Sequence, residues 1–132
     1  MQPIFTLPMV VRDYECDIQG IVNNAVYQHY NEHCRSCFIA SLGIEFADLH
    51  ERGIDVVVAQ LNMRFKTSLR PGDKFEVRLA LEKQGLRYVF HQDIVRLADE
   101  KRALKDSSYQ KEILSLRAQT DIVAIINGRL SD

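Results

Sequence analysis

One segment with helical spacing lies among segments that alternate every second residue, and that mixture fixes the class of fold open to this chain. Val26, Tyr30, Cys34, Cys37 and Phe38 recur at helical intervals, with Gln28, Asn31, Glu32 and Arg35 on other faces. Asn23 or Asn24 is placed to cap the start of this helix, and Gly43 to end it. Upstream, Phe5, Leu7, Met9 and Val11 alternate with Thr6, Pro8, Val10 and Arg12, a half-buried strand that Pro8 assigns to an edge.

Downstream the period of two returns. Leu61, Met63 and Phe65 alternate with Asn62, Arg64 and Lys66, and Arg70-Pro71-Gly72-Asp73 carries turn chemistry, which reads as a hairpin into the next strand. There, Phe75, Val77, Leu79 and Leu81 oppose Lys74, Glu76, Arg78 and Glu82, as in an antiparallel sheet with one covered face. Gln84-Gly85 supplies a second turn, and residues 88–97 and 113–126 read as two more strands. The charged stretch between them, residues 98–112, reads as a solvated excursion with room for a short helix. The expectation is an α+β fold in which an antiparallel sheet wraps one long, largely buried central helix.

At 132 residues, without repeats or low-complexity tracts, residues 1–132 are expected to form a single domain. Lys plus Arg number 17 against 18 for Asp plus Glu, so no global charge draws the chain to nucleic acid or to an anionic membrane. The three cysteines are odd in number; Cys34 and Cys37 share a helical face, no second pair completes a zinc site, and a reducing cytoplasm is expected, with no metal. The N-terminus lacks a basic region, an apolar run and a small-residue cleavage site, so neither secretion nor a membrane anchor is expected.

The chemistry concentrates ahead of the helix, in DYECDIQGIVNNAVYQHYNEH, residues 13–33. Position alone reads Asp17 as an Asx-type turn residue. Free N–H groups at a helix start also suit a developing oxyanion, and a nearby carboxylate can attack a carbonyl or activate water. His29 and His33 read as packed or solvated residues without a role.

The run YECDIQGIVNNAVY, residues 14–27, resembles the hotdog-fold acyl-CoA thioesterases of the 4-hydroxybenzoyl-CoA thioesterase type, whose motif is an aspartate, two residues, a glycine, an apolar pair and then the central helix. VAQLNMRFKTSLRPGD, residues 58–73, is similar to that family's second strand and following turn. The resemblance implies that Asp17 is the catalytic carboxylate, as nucleophile or general base, and that Gly20, Asn23 and Asn24 position the thioester at the helix start. Glu32 is the second candidate acid, since some hotdog thioesterases use a helical one. By the same resemblance Val22 and Tyr27 would line an acyl pocket. Arg64, Lys66, Arg70 and Arg87 would meet coenzyme A phosphates. The implied protein is a cytoplasmic homodimer or homotetramer that hydrolyses an acyl-CoA without a metal or redox cofactor. The alternatives are a hotdog hydratase or dehydratase, for which no histidine acid-base motif is found, and a non-catalytic acyl-CoA-binding module.

Overall fold

The computed structural model describes residues 2–131. Strand β1 (Phe5–Val10) leads through a 3-10 turn (Asp13–Glu15) to helix α1 (Asn24–Ser41) and the short α2 (Phe46–Glu51). Strands β2 (Ile54–Phe65), β3 (Lys74–Gln84) and β4 (Arg87–Arg96) follow, then α3 (Glu100–Ala103), a 3-10 turn (Ser107–Gln110), β5 (Ile113–Ile126) and β6 (Arg129–Ser131). All pairings are antiparallel, in the order β1-β3-β4-β5-β2 with β6 also on β5. This is the expected α+β layout, with Pro8 on an edge strand, where its missing N–H costs least.

The alternation in β3 does what its spacing dictates. Phe75, Val77 and Leu79 are fully buried beneath α1, each contributing about 1.5–3 kcal/mol by leaving water. Helix α1 answers with Tyr27, Tyr30, Cys34 and Phe38. Tyr30 packs on Phe75 with ring centroids 4.7 Å apart, and Phe38 packs on Phe5 at 5.6 Å. Burial pushes the Cys34 thiol up to about 11. Asn23, not Asn24, caps the helix, its Oδ1 accepting from the Ala25 N–H at 2.9 Å. Beyond the other end, Gly43 adopts φ +78°, a left-handed conformation that an L side chain resists.

Three expectations need correction. The turn at residues 70–73 does not close a β2–β3 hairpin, because β2 pairs with β5 while β3 lies between β1 and β4. Residues 66–73 instead cross the end of the sheet, and their backbone serves other elements: Leu69 C=O accepts from Val22 N–H, and Gly72 N–H donates to Val11 C=O. The central helix is also less buried than expected. Only one stripe of α1 is buried, while Ala25, Gln28, His29, Glu32, His33 and Ser36 are exposed, as polar side chains on the far face require.

The 98–112 excursion, finally, is largely exposed and holds the expected short helix, α3, but it is also docked onto the fold. Tyr109 is buried and donates to Asp73 Oδ1 at 2.6 Å, Arg102 pairs with the same carboxylate, and the Arg96 guanidinium lies 3.9 Å over the Tyr109 ring. Fully buried Asp73 gains enough donors to offset its desolvation, the Arg70 N–H at 2.9 Å among them.

Among the described residues one side of the 12-residue β2 has no pairing partner, and the strand carries exposed apolar side chains at Val56, Val57, Val58, Leu61 and Phe65. Among the described residues, no helix is long and apolar enough to cross a membrane.

Candidate active site

Asp17 sits in a seven-residue loop clasped by an antiparallel bridge between Cys16 and Val22. Within it, Asp17 N–H donates to Ile21 C=O at 2.9 Å and Gly20 N–H to Asp17 C=O at 3.0 Å. The carboxylate turns back on its own loop: Oδ1 accepts from Gln19 N–H at 2.9 Å. That is an Asx turn, and it fixes one carboxylate oxygen while Oδ2 has no partner among the described residues. Gly20 is required by its φ of +77°, not by crowding, since no atom lies within 4 Å of where a Cβ would stand.

Two anchors tie this loop to the helix. Glu15, buried just before it, accepts from Tyr30 Oη at 2.8 Å and from Arg12 N–H at 2.8 Å, while its carbonyl takes the Asn23 N–H at 3.1 Å. Burial raises the Tyr30 phenol far above its usual range, with the Glu15 hydrogen bond adding to the effect. On the opposite side, Leu69 C=O receives Val22 N–H at 2.9 Å, and Leu69 N–H donates to Tyr27 Oη at 2.9 Å. The loop, the first turns of α1 and the 66–73 crossing are therefore one hydrogen-bonded unit.

At the helix start the Ala25 amide is taken by the Asn23 side chain and the Val26 amide by the Asn23 carbonyl. The Asn24 N–H has no acceptor among the described residues, as expected of a first-turn donor. Such an N–H, at the positive end of the helix dipole, is suited to an oxyanion.

The residues expected from sequence fall into four groups. Asp17, Gly20, Asn23 and Asn24 are gathered in the loop and the helix start. Val22 and Tyr27 are each only 2% exposed and belong to the core, where the Tyr27 ring meets Phe65 at 5.5 Å. The basic residues divide: Arg64, Lys66 and Arg70 are exposed, but Arg87 is engaged by Asp121 at 2.9 Å and Gln60 at 3.2 Å. Glu32, His29 and His33 lie on the exposed face of α1, and His33 Nε2 approaches Cys37 Sγ at 3.6 Å.

Sequence reasoning missed Glu15, because nothing local marks an acid whose partner, Tyr30, is 15 residues away. Among the described residues no three His, Cys, Asp or Glu side chains converge as metal ligands.

The loop also exposes apolar surface beside its carboxylate. Ile18 is 103% and Tyr14 80% exposed. Two open depressions lie elsewhere: one of about 460 Å³ near Ala80 and His91, and one of about 740 Å³ between α2 and β2. Asp17 lines neither.

Residues 19–102 match the family model described as the thioesterase superfamily. The chain belongs to the thioesterase superfamily. Asp17 lies just outside the matched residues, whereas Gly20, Asn23 and Asn24 lie inside them. The chain is 35% identical over 106 residues, 80% of its length, to the chloroplastic acyl-acyl carrier protein thioesterase ATL3 of Arabidopsis thaliana, and it spans 56% of that relative. It thus covers about half the length of the curated relatives it matches first.

A crystal structure of a hypothetical protein from Aquifex aeolicus superposes with a TM-score of 0.79 at 27% identity, covering 97% of this chain and 91% of that one. A 4-hydroxybenzoyl-CoA thioesterase mutant complexed with 4-hydroxybenzoyl-CoA superposes with a TM-score of 0.78 at 17% identity, covering 96% and 89%. The fold is the hotdog fold, shared with these two structures.

Proposed function

We propose that this chain hydrolyses an acyl thioester to a free acid and a thiol, with Asp17 as the reacting carboxylate and the Asn24 N–H as an oxyanion donor. The observation that carries the proposal is the junction itself. A carboxylate oxygen and a helix-start amide that have no partner among the described residues are held in one hydrogen-bonded unit by Glu15, Asn23 and Leu69. Placing donors where charge develops, without reorganisation, is the largest single contribution most hydrolases make.

Two routes use this arrangement. As general base, Asp17 takes a proton from water as the water oxygen attacks the thioester carbonyl; as nucleophile, it forms a mixed anhydride that water then opens. In both, the carbonyl oxygen gains negative charge beside the Asn24 N–H and the C–S bond breaks to release the thiol. Gly20 and Asn23 hold the loop and the helix start in place.

Asp17 is exposed in the single chain, so water is excluded from the reaction only when something covers Tyr14, Ile18 and the free side of β2. A second copy of this chain is the proposed cover, giving a homodimer or a homotetramer in which each 1–132 chain contributes one hotdog domain. Coenzyme A is the proposed carrier, its phosphates met by Arg64 and Lys66 near the Phe65–Tyr27 contact; Arg87 is less available because Asp121 holds it. The name of the Arabidopsis relative makes acyl carrier protein the second carrier to try. The proposed compartment is a reducing one such as the cytoplasm, in keeping with three free cysteines.

The test is thiol release from a panel of acyl-CoA and acyl-carrier-protein thioesters. Turnover of at least one, abolished by Asp17→Asn, supports the proposal. Binding without release of thiol for every member would leave an acyl-binding module as the better account.

A further inference from the structure

Helix α1 carries an amide where its core stripe should be apolar. Asn31 is 2% exposed, and neither its Nδ2 nor its Oδ1 has a hydrogen-bond partner among the described residues. Buried amides are ordinarily satisfied, and one left without a partner costs free energy. Functional sites are where such a cost is retained.

The surroundings are polar as well. Gln92, 1% exposed, donates through Nε2 to the Asn31 carbonyl at 2.9 Å, and its Oε1 accepts from Arg35 Nη1 at 2.9 Å. Arg35 Nη1 also reaches Thr120 Oγ1 at 3.4 Å. Arg35 is half-buried, and burial lowers its pKa; Glu32 acts on it through space, yet Arg35 makes no ion pair among the described residues. Its Nε and Nη2 donors have no partner among the described residues. Leu61, the register partner of Thr120 on β2, is 37% exposed, so the cluster adjoins the open, unpaired side of the sheet.

Asn31 follows Asn24 by seven residues, roughly 10 Å along the helix axis. A group recognised at Asn31 while a thioester carbonyl sits at Asn24 must therefore be several bonds beyond that carbonyl. We propose that Asn31, Arg35, Gln92 and Thr120 form a specificity site for acyl groups bearing a hydrogen-bond-accepting oxygen, a carboxylate or a hydroxyl, distal to the thioester. This rests on the hydrolase reading. The donors of Arg35 and Asn31 suit such an oxygen and gain nothing from a plain hydrocarbon. A site built to hydrogen-bond an oxygen also discriminates against an analogue lacking it, because its buried groups are then left unpaired.

The experiment compares kcat/KM within matched pairs, octanoyl-CoA against its ω-carboxylated counterpart and benzoyl-CoA against 4-hydroxybenzoyl-CoA, for the parent, Asn31→Leu and Arg35→Met. The ratio within a pair cancels any general loss of activity. The parent should favour the oxygenated member of at least one pair by about tenfold or more, and each variant should bring that ratio to within about threefold of unity. No preference in the parent, or a preference unchanged in both variants, overturns the inference. So does an Arg35→Met protein that changes its oligomeric state and keeps its selectivity, since Arg35 would then serve a subunit contact. Calorimetric binding of the same pairs separates the two levels. Preferential binding of the oxygenated member without hydrolysis by the parent upholds the specificity site while removing the hydrolase, and hydrolysis without preference does the reverse.

Discussion

Replacing Tyr27 with phenylalanine isolates one hydrogen bond that fastens the candidate site to the rest of the fold. The ring would keep its edge contacts with Tyr30, at 6.2 Å between centroids, and with Phe65, at 5.5 Å. Only the hydroxyl oxygen would go, and with it the acceptor for the N–H of Leu69, a residue with no exposed surface. An orphaned buried amide costs about 1–3 kcal/mol. For 132 residues, at about 3–5 °C per kcal/mol, the melting temperature should fall by roughly 3–15 °C. Thermal and urea unfolding followed by circular dichroism measure this directly, and the urea slope should stay unchanged because the surface exposed on unfolding is the same. The same Leu69 fixes Val22 at the end of the Asp17 loop, so kcat should fall as well. A Tyr27→Phe protein of parental stability with altered acyl selectivity would refute the reasoning and move Tyr27 to the wall of an acyl pocket.

Other outcomes follow from single features. Cys34 should resist alkylation in the folded protein at pH 8, where its thiol, raised to about 11, stays protonated, while half-exposed Cys37 reacts; peptide mapping after a timed pulse reads both. Because the folded value is the raised one, the stability from burying that neutral thiol is full below the ordinary thiol range and is lost as pH climbs towards 11. Val58→Glu, on the unpaired β2 side, should convert an oligomer into monomers and abolish thiol release together, as light scattering and a thiol assay would report; an active monomer would contradict it. The double variant Arg64→Ala, Lys66→Ala should raise KM for acyl-CoA several-fold with kcat nearly unchanged and flatten its salt dependence.

What the sequence made legible was whatever a local period could encode. The alternation of β3, the stripe through Tyr30, Cys34 and Phe38, and the capping residues all survive in the structure because each reflects contacts set within a few residues. Where partners are distant, the reading failed. Arg70-Pro71-Gly72-Asp73 is a true turn, but its long-range hydrogen bonds run to Val11, Arg102 and Tyr109, so its chemistry could not reveal that β2 and β3 part company. The start of β2, residues 54–57, escaped notice because Val56 and Val57, running into Val58, are apolar on both faces, which breaks the period of two. Tyr109 was hidden in a charged run, and its role depends on Asp73, 36 residues earlier.

At the site, the Asp17 loop was legible because Asp, Gly and Asn mark turns and caps by their own chemistry. Glu15 was not, since an acid beneath a helix looks like any surface acid until Tyr30 is seen to reach it. Asn31 was assigned to a face away from the apolar stripe, yet it is buried within that stripe, four places after Tyr27 and three before Cys34.

The most direct test of the account is the rate of thiol release by Asp17→Asn against the best acyl thioester. Asparagine keeps the oxygen that accepts from Gln19 N–H, so the loop and the melting temperature should be preserved. It can neither take a proton from water nor attack a carbonyl, so kcat should fall by roughly 10²–10⁴-fold. Release at the parental rate in a folded Asp17→Asn protein, whether or not Glu32→Gln then abolishes it, would contradict the assignment of Asp17.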